Sequence, residues 1–139
     1  MSQNRDLEEG SALAIDFTKL KQTASIEEDV VPVAVQDAES GEVLIIAYAN
    51  RKALDYTLKN KTAAFWSTSR NELWVKGATS GDTLEIVDVR VNCEQNSLLY
   101  IVKLKGNGAC HTKDKNGKTR PGCYYRRIQD SSLEFIRKE

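Results

Sequence analysis

Hydrophobic and polar positions divide this chain into blocks with different periods. The first 28 residues are polar and acidic, broken by one apolar cluster at Leu13, Ile15, Phe17 and Leu20. That block reads as an N-terminal arm, packed by the cluster, ahead of a single domain over 29–139. From Val30 the pattern becomes strand-like. The β-branched run Val31–Asp37, the turn residues Ala38-Glu39-Ser40-Gly41-Glu42 and the apolar run Val43–Tyr48 predict a hairpin. Asn50 is a plausible N-cap for a helix over Arg51–Lys59, whose inward face is Ala53, Leu54, Thr57 and Leu58.

Four more extended runs follow: Ala63–Ser67, Glu72–Lys76, Leu84–Val91 and Leu98–Leu104. Turn residues separate them at Ser69-Arg70-Asn71, Ser80-Gly81-Asp82 and Gly106-Asn107-Gly108. The expected fold class is therefore α+β, a mainly antiparallel β-sheet domain with one clear helix. No internal repeat, low-complexity tract or linker interrupts it.

Composition narrows the function classes. The 139 residues are enough for one core and too few for two. Twenty basic and twenty acidic side chains cancel, so no overall field points to nucleic acid. Their placement is uneven, however. Residues 103–139 hold ten Lys/Arg against four Asp/Glu, or +6, while residues 1–102 hold ten against sixteen, or −6. A basic tail suits a phosphorylated small substrate, although the lysine-rich Lys113 to Arg120 stretch is equally readable as a solvated loop. No segment nears the ~20 apolar residues of a membrane span, and the N-terminus shows no basic region followed by an apolar run that would read as a signal peptide.

The candidate chemistry is concentrated. Cys93, Cys110, Cys123 and His111 are the only cysteines and histidine in the chain. An odd cysteine count argues against a disulfide framework. One such cysteine alone would read as a small buried hydrophobe. Three of them, with the sole imidazole beside one, read as a zinc site with one coordination place left open, the catalytic pattern. No CxxC knuckle is present, so a zinc finger is disfavoured. His111 is either a fourth ligand or an acid/base group. Its adjacency to Cys110 favours the second role, because successive side chains on an extended chain diverge.

Two further groupings are weaker. Asn92, Glu94 and Asn96 would share one face if extended, opposite Cys93, and could hold a hard cation or a ribose hydroxyl. With one formal charge among them, polar turn residues are the simpler reading. The stretch Trp66-Ser67-Thr68-Ser69-Arg70, followed by Leu73 to Gly81, gathers hydroxyls, small residues, Arg70 and Lys76 into a potential phosphate cradle. Trp66 and Trp74 are either core residues or stacking surfaces for a base.

Taken in order, VPVAVQDAESGEVLIIAYANRKAL, FWSTSRNELWVKGATSGDTLEIVDVRVNC, GNGACHTK and a later CYYRR resemble the phosphoribosyl-AMP cyclohydrolases of histidine biosynthesis, from about Ile15 to Ile128. The resemblance implies a homodimeric cytosolic enzyme whose zinc ligands map onto Cys93, Cys110 and Cys123, in a site built across the dimer interface. It implies hydrolytic opening of the adenine ring of phosphoribosyl-AMP at N1–C6 by zinc-activated water, with His111 moving protons. Arg70, Lys76, Thr79 and Ser80 are then candidates for holding phosphate or ribose.

Two departures from the family pattern stand out. Aspartates associated with magnesium in the family are replaced here by Asn92, Glu94 and Asn96, so the expectation is a weak or absent magnesium dependence. The connection between the last two cysteines is also longer, running from Lys113 to Gly122, at small thermodynamic cost. The rival readings are a zinc hydrolase acting on a related purine or amidine nucleotide, and a non-catalytic zinc-stabilised module that binds a nucleotide or partner.

Overall fold

The computed structural model describes residues 2–137. Two short helices, α1 (Ser2–Glu9) and α2 (Lys19–Ala24), lie in the arm. The hairpin of β1 (Val31–Asp37) and β2 (Val43–Ala49) comes next, then helix α3 (Arg51–Asn60). After it run β3 (Ala64–Ser67), β4 (Glu72–Val75), β5 (Leu84–Val91), β6 (Leu98–Leu104), β7 (Arg126–Gln129) and β8 (Ser132–Phe135). No described helix is long and apolar enough to cross a membrane.

Four strands form the main sheet in the order β2-β1-β6-β5, and β3-β4 and β7-β8 form separate two-stranded ribbons. Pairings are antiparallel except β1 with β6, which run parallel from Val33 opposite Leu98 to Asp37 opposite Val102. The α+β, mainly antiparallel reading therefore holds, with one parallel pair in it. That pair exists because everything from β2 to β5 intervenes as a crossover, a length no local pattern reveals.

Alternation decides the core. Val33 and Val35 of β1, Leu44 of β2, Phe65 of β3, Leu84 of β5, and Tyr100 and Val102 of β6 are essentially inaccessible to solvent. Phe65 joins the two sheets: its ring centroid lies 5.4 Å from that of Trp74 and 5.6 Å from that of Tyr100. Helix α3 starts where Asn50 accepts the Ala53 amide at 2.9 Å and ends at Lys61, whose φ of 55° is left-handed. Thr57 ties the helix to β3. Its hydroxyl donates to Ala53 O (2.9 Å) and accepts the Ala64 amide (2.9 Å) with no solvent access.

The arm departs from expectation. Leu13, Ile15, Phe17 and Leu20 are exposed rather than packed; Phe17 is 89% accessible. Polar bonds hold the arm instead. Helix α1 carries SQNRDLEE, with no apolar stripe to announce it, and docks on the C-terminal ribbon. Ribbon β7–β8 escaped notice because its strands are short, charged and joined by a tight turn with Asp130 at φ 55°.

Candidate active site

The segment 109–112 lies alongside 120–123. Ala109 donates to Pro121 O (2.8 Å), Cys110 to Arg120 O (3.2 Å), and Arg120 back to Thr112 O (3.1 Å). The Cys123 amide then donates to Leu44 O at 2.7 Å, fixing the segment on edge strand β2. Gly108 permits this closeness: a β-carbon there would sit 2.3 Å from Arg120 O. The long insert is thereby an ordered hairpin. Asp114 N donates to Lys118 O (2.8 Å), while the Asp114 carboxylate accepts from Asn116 N (2.9 Å) and Lys118 N (3.0 Å). Its base pairs Lys113 with Thr119, its tip at residues 115–118 is exposed, and the backbone bonds between 109–112 and 120–121 keep the two cysteine segments side by side.

Cys110 and Cys123 behave as one acid–thiol pair. The Cys123 thiol donates to Cys110, and together with the Thr112 hydroxyl (3.0 Å) and amide (3.4 Å) it holds Cys110 down to about 5 against the cost of burial. Cys123, which is exposed at the surface, is driven above the ordinary thiol range chiefly by the same bond. The two thiols thus titrate as a pair that shares a proton between its sulfurs. Lys76, only 7% accessible, donates to Asp82 O (2.9 Å) and Gly108 O (3.5 Å). Burial pushes its ammonium below the usual range, while Asp82 and the two cysteines oppose that shift.

These groups wall a cavity of about 600 Å³. Lys76, Thr79 and Ser80 stand on one side, Cys110, His111 and Cys123 on another, and Trp74 and Tyr124 add aromatic surface. The cradle segment and the sulfur pair therefore meet, although they are far apart in the chain. Trp74 does both things the sequence allowed, packing on Phe65 and lining the cavity. Trp66 lies outside the cavity walls and donates its indole N–H to Asn71 (3.0 Å). Arg70 also stands apart, on the β3–β4 turn, where its side chain meets Ser67 (3.4 Å) and Glu72 (3.5 Å).

Cys93 is elsewhere. It is exposed, in the turn joining β5 to β6, and so is not a buried hydrophobe. Among the described residues, no three His, Cys, Asp or Glu side chains of one chain come together as a metal site. Within one chain, then, Cys110 and Cys123 stand together at the cavity and Cys93 does not join them. The neighbours of Cys93 do not form an extended face. Asn92 Oδ1 accepts the amides of Asn96 (2.8 Å) and Ser97 (2.9 Å), and Asn92 Nδ2 donates to Asn96 Oδ1 (2.6 Å). With Gln95 left-handed at φ 55°, both asparagines serve to close the turn, and Glu94 remains exposed.

Sequence reasoning missed Glu8, whose carboxylate meets the His111 imidazole from helix α1. It also left open whether Lys113 was only solvated; the residue lines the cavity. No signal pointed to Glu8, since 103 residues separate the pair.

Comparison with known proteins places these elements. Residues 45–125 match the sequence profile described as phosphoribosyl-AMP cyclohydrolase. The phosphoribosyl-AMP cyclohydrolase of Hyphomonas neptunium is 44% identical over 112 residues, covering 81% of this chain and 80% of that protein. That of Archaeoglobus fulgidus is 45% identical over 107 residues, 77% of this chain and 93% of that protein. The histidine biosynthesis bifunctional protein HisIE of Aquifex aeolicus is 38% identical over 108 residues, 78% of this chain and 50% of that protein.

Proposed function

The chain belongs to the phosphoribosyl-AMP cyclohydrolase family, a family of hydrolytic enzymes, and on that premise we propose that it opens the adenine ring of phosphoribosyl-AMP at the N1–C6 bond in histidine biosynthesis. One observation carries the reading. The sulfur pair Cys110–Cys123, the sole histidine and the Lys76–Ser80 segment share the walls of one nucleotide-sized cavity, within the residues that match the family.

Cys110 and Cys123 of one copy, with Cys93 of a second, would hold zinc, making the working unit a homodimer in the cytoplasm. When bound, zinc supplies Lewis acidity and activates water near neutral pH. The remaining work falls to the chain's own residues. Thr79 and Ser80 offer hydroxyls to phosphate or ribose, and Lys113 adds a cation from the insert. Trp74 offers a flat apolar surface to the purine. Lys76 stabilises the anionic sulfur pair while its two carbonyl bonds tie the 76–82 loop to Gly108. His111 carries the proton that must reach ring N1 as the N1–C6 bond breaks.

The test follows ring opening of phosphoribosyl-AMP by its absorbance change, with AMP as comparison substrate and His111→Ala beside the parent. Turnover of phosphoribosyl-AMP alone, lost in His111→Ala, is the expected result. Preferential turnover of another purine would move the assignment to a paralogue, and a zinc-loaded parent without turnover would leave only a binding role.

A further inference from the structure

Helix α1 precedes residues 45–125, which match the family profile, so nothing in that profile match gives it a role. The structure nevertheless docks it firmly at the cavity rim. Tyr125 donates its hydroxyl to Glu8 O (2.6 Å), and Arg126 donates to Leu7 O (2.9 Å) and Gly10 O (2.8 Å). These bonds occupy carbonyls at the helix C-terminus that otherwise lack partners. Arg120, 4% accessible and stacked 4.3 Å over the Tyr125 ring, grips the Glu9 carboxylate at 3.0 Å. Four bonds from three side chains thus fix the end of α1, and the Glu8 side chain on its last turn places Oε2 on His111 Nε2.

His111 stands between two cavities. One is the substrate cavity described above; the other is lined by Leu7, Glu8, Leu13, Ile15 and Tyr125 on the α1 side. We propose that Glu8 is a positioning residue for His111: its carboxylate accepts the Nε2 hydrogen, which fixes the imidazole plane and leaves the Nδ1 lone pair free to handle the substrate's proton. An ionised carboxylate has only acceptor sites, so this contact selects the Nε2–H tautomer. The N-terminal arm is then part of the active site. This inference rests on the assignment of proton transfer to His111.

A single histidine makes the contact directly observable, because ¹⁵N spectra of the labelled protein contain one imidazole. In the parent, Nε2 is expected to carry the hydrogen and Nδ1 the lone pair. Glu8→Ala should give mixed tautomers and lower kcat about 10- to 100-fold, with KM changed by less than about twofold. Glu8→Gln retains a neutral acceptor and should recover most of both properties. The Glu8 side chain is 31% accessible, so neither variant removes a core group, and thermal midpoints check that the fold persists.

Unchanged kcat in Glu8→Ala overturns the proposal. So does a loss of kcat with the imidazole signals unaltered, since arm undocking would then be the cause. A parent without turnover overturns the functional reading instead, and the imidazole signals still decide whether Glu8 orients His111.

Discussion

The proposed two-copy zinc site makes a quantitative prediction about mixed dimers. Cys123 is fastened to β2, one edge of the main sheet, while Cys93 lies in the turn after β5, the other edge. Two to three strand spacings separate them sideways, about 10–14 Å. The turn also lies several residues along the strands from Leu44, bringing the separation to the order of 20 Å. Sulfurs sharing a tetrahedral zinc at about 2.3 Å must approach within roughly 4 Å of one another. One chain cannot meet that requirement.

Now consider Cys93→Ser and Cys110→Ser, each inactive alone. In a mixed dimer one site receives Cys93 from the second variant and Cys110–Cys123 from the first, and is complete. The other site lacks two sulfurs. Random pairing makes half the dimers mixed, each with one working site of two, so activity returns to about a quarter of the parent's. Mixing Cys110→Ser with Cys123→Ser restores nothing, because both sulfurs belong to one copy. The assay is ring opening of phosphoribosyl-AMP after co-expression or unfolding and refolding of the two variants together. Equal, near-zero activity in both mixtures would refute the shared site, and restoration in the control mixture would refute the pairing of Cys110 with Cys123.

Four further outcomes are expected. His111→Ala should lower kcat by about 10²- to 10⁴-fold with zinc content unchanged, and simultaneous loss of zinc would make the histidine a ligand. Because the Cys110–Cys123 pair shares a proton, zinc binding near pH 7 should displace about one proton from this pair, and affinity should fall on acidification. Calorimetry in buffers of different ionisation enthalpy counts the protons released, and zinc binding without any release would contradict this. Since Asn92 and Asn96 are committed to closing their turn, magnesium should raise the activity of zinc-restored enzyme by less than about twofold; a strict requirement contradicts this. Thr57→Val, which removes a fully buried hydroxyl bonded to both α3 and β3, should cost about 1–3 kcal/mol in denaturant unfolding.

Periodicity carried most of the domain. The runs Val31–Asp37, Leu84–Val91 and Leu98–Leu104 coincide with strands, and the α3 cap at Asn50 was legible because its side chain does local work. What periodicity could not show was non-local or polar. The parallel β1–β6 pairing depends on a crossover, and α1 is held by arginine and tyrosine donors on a ribbon over 110 residues away. At the site, residue type drew attention to Cys110, Cys123 and His111, which line one cavity, and spacing showed none of their geometry. Asn92, Glu94 and Asn96 looked like a face only while they were read as extended, and the left-handed Gln95 turns them instead. Arg70 and Lys76 resembled each other as phosphate cations, yet one is an exposed turn residue and the other is nearly buried against two carbonyls.

The most direct measurement is zinc X-ray absorption on the loaded protein. Three sulfur neighbours at about 2.3 Å and one lighter atom are expected, with the sulfur count falling to two in Cys93→Ser. A parent with two sulfurs, or a Cys93→Ser spectrum identical to the parent's, would contradict the shared site.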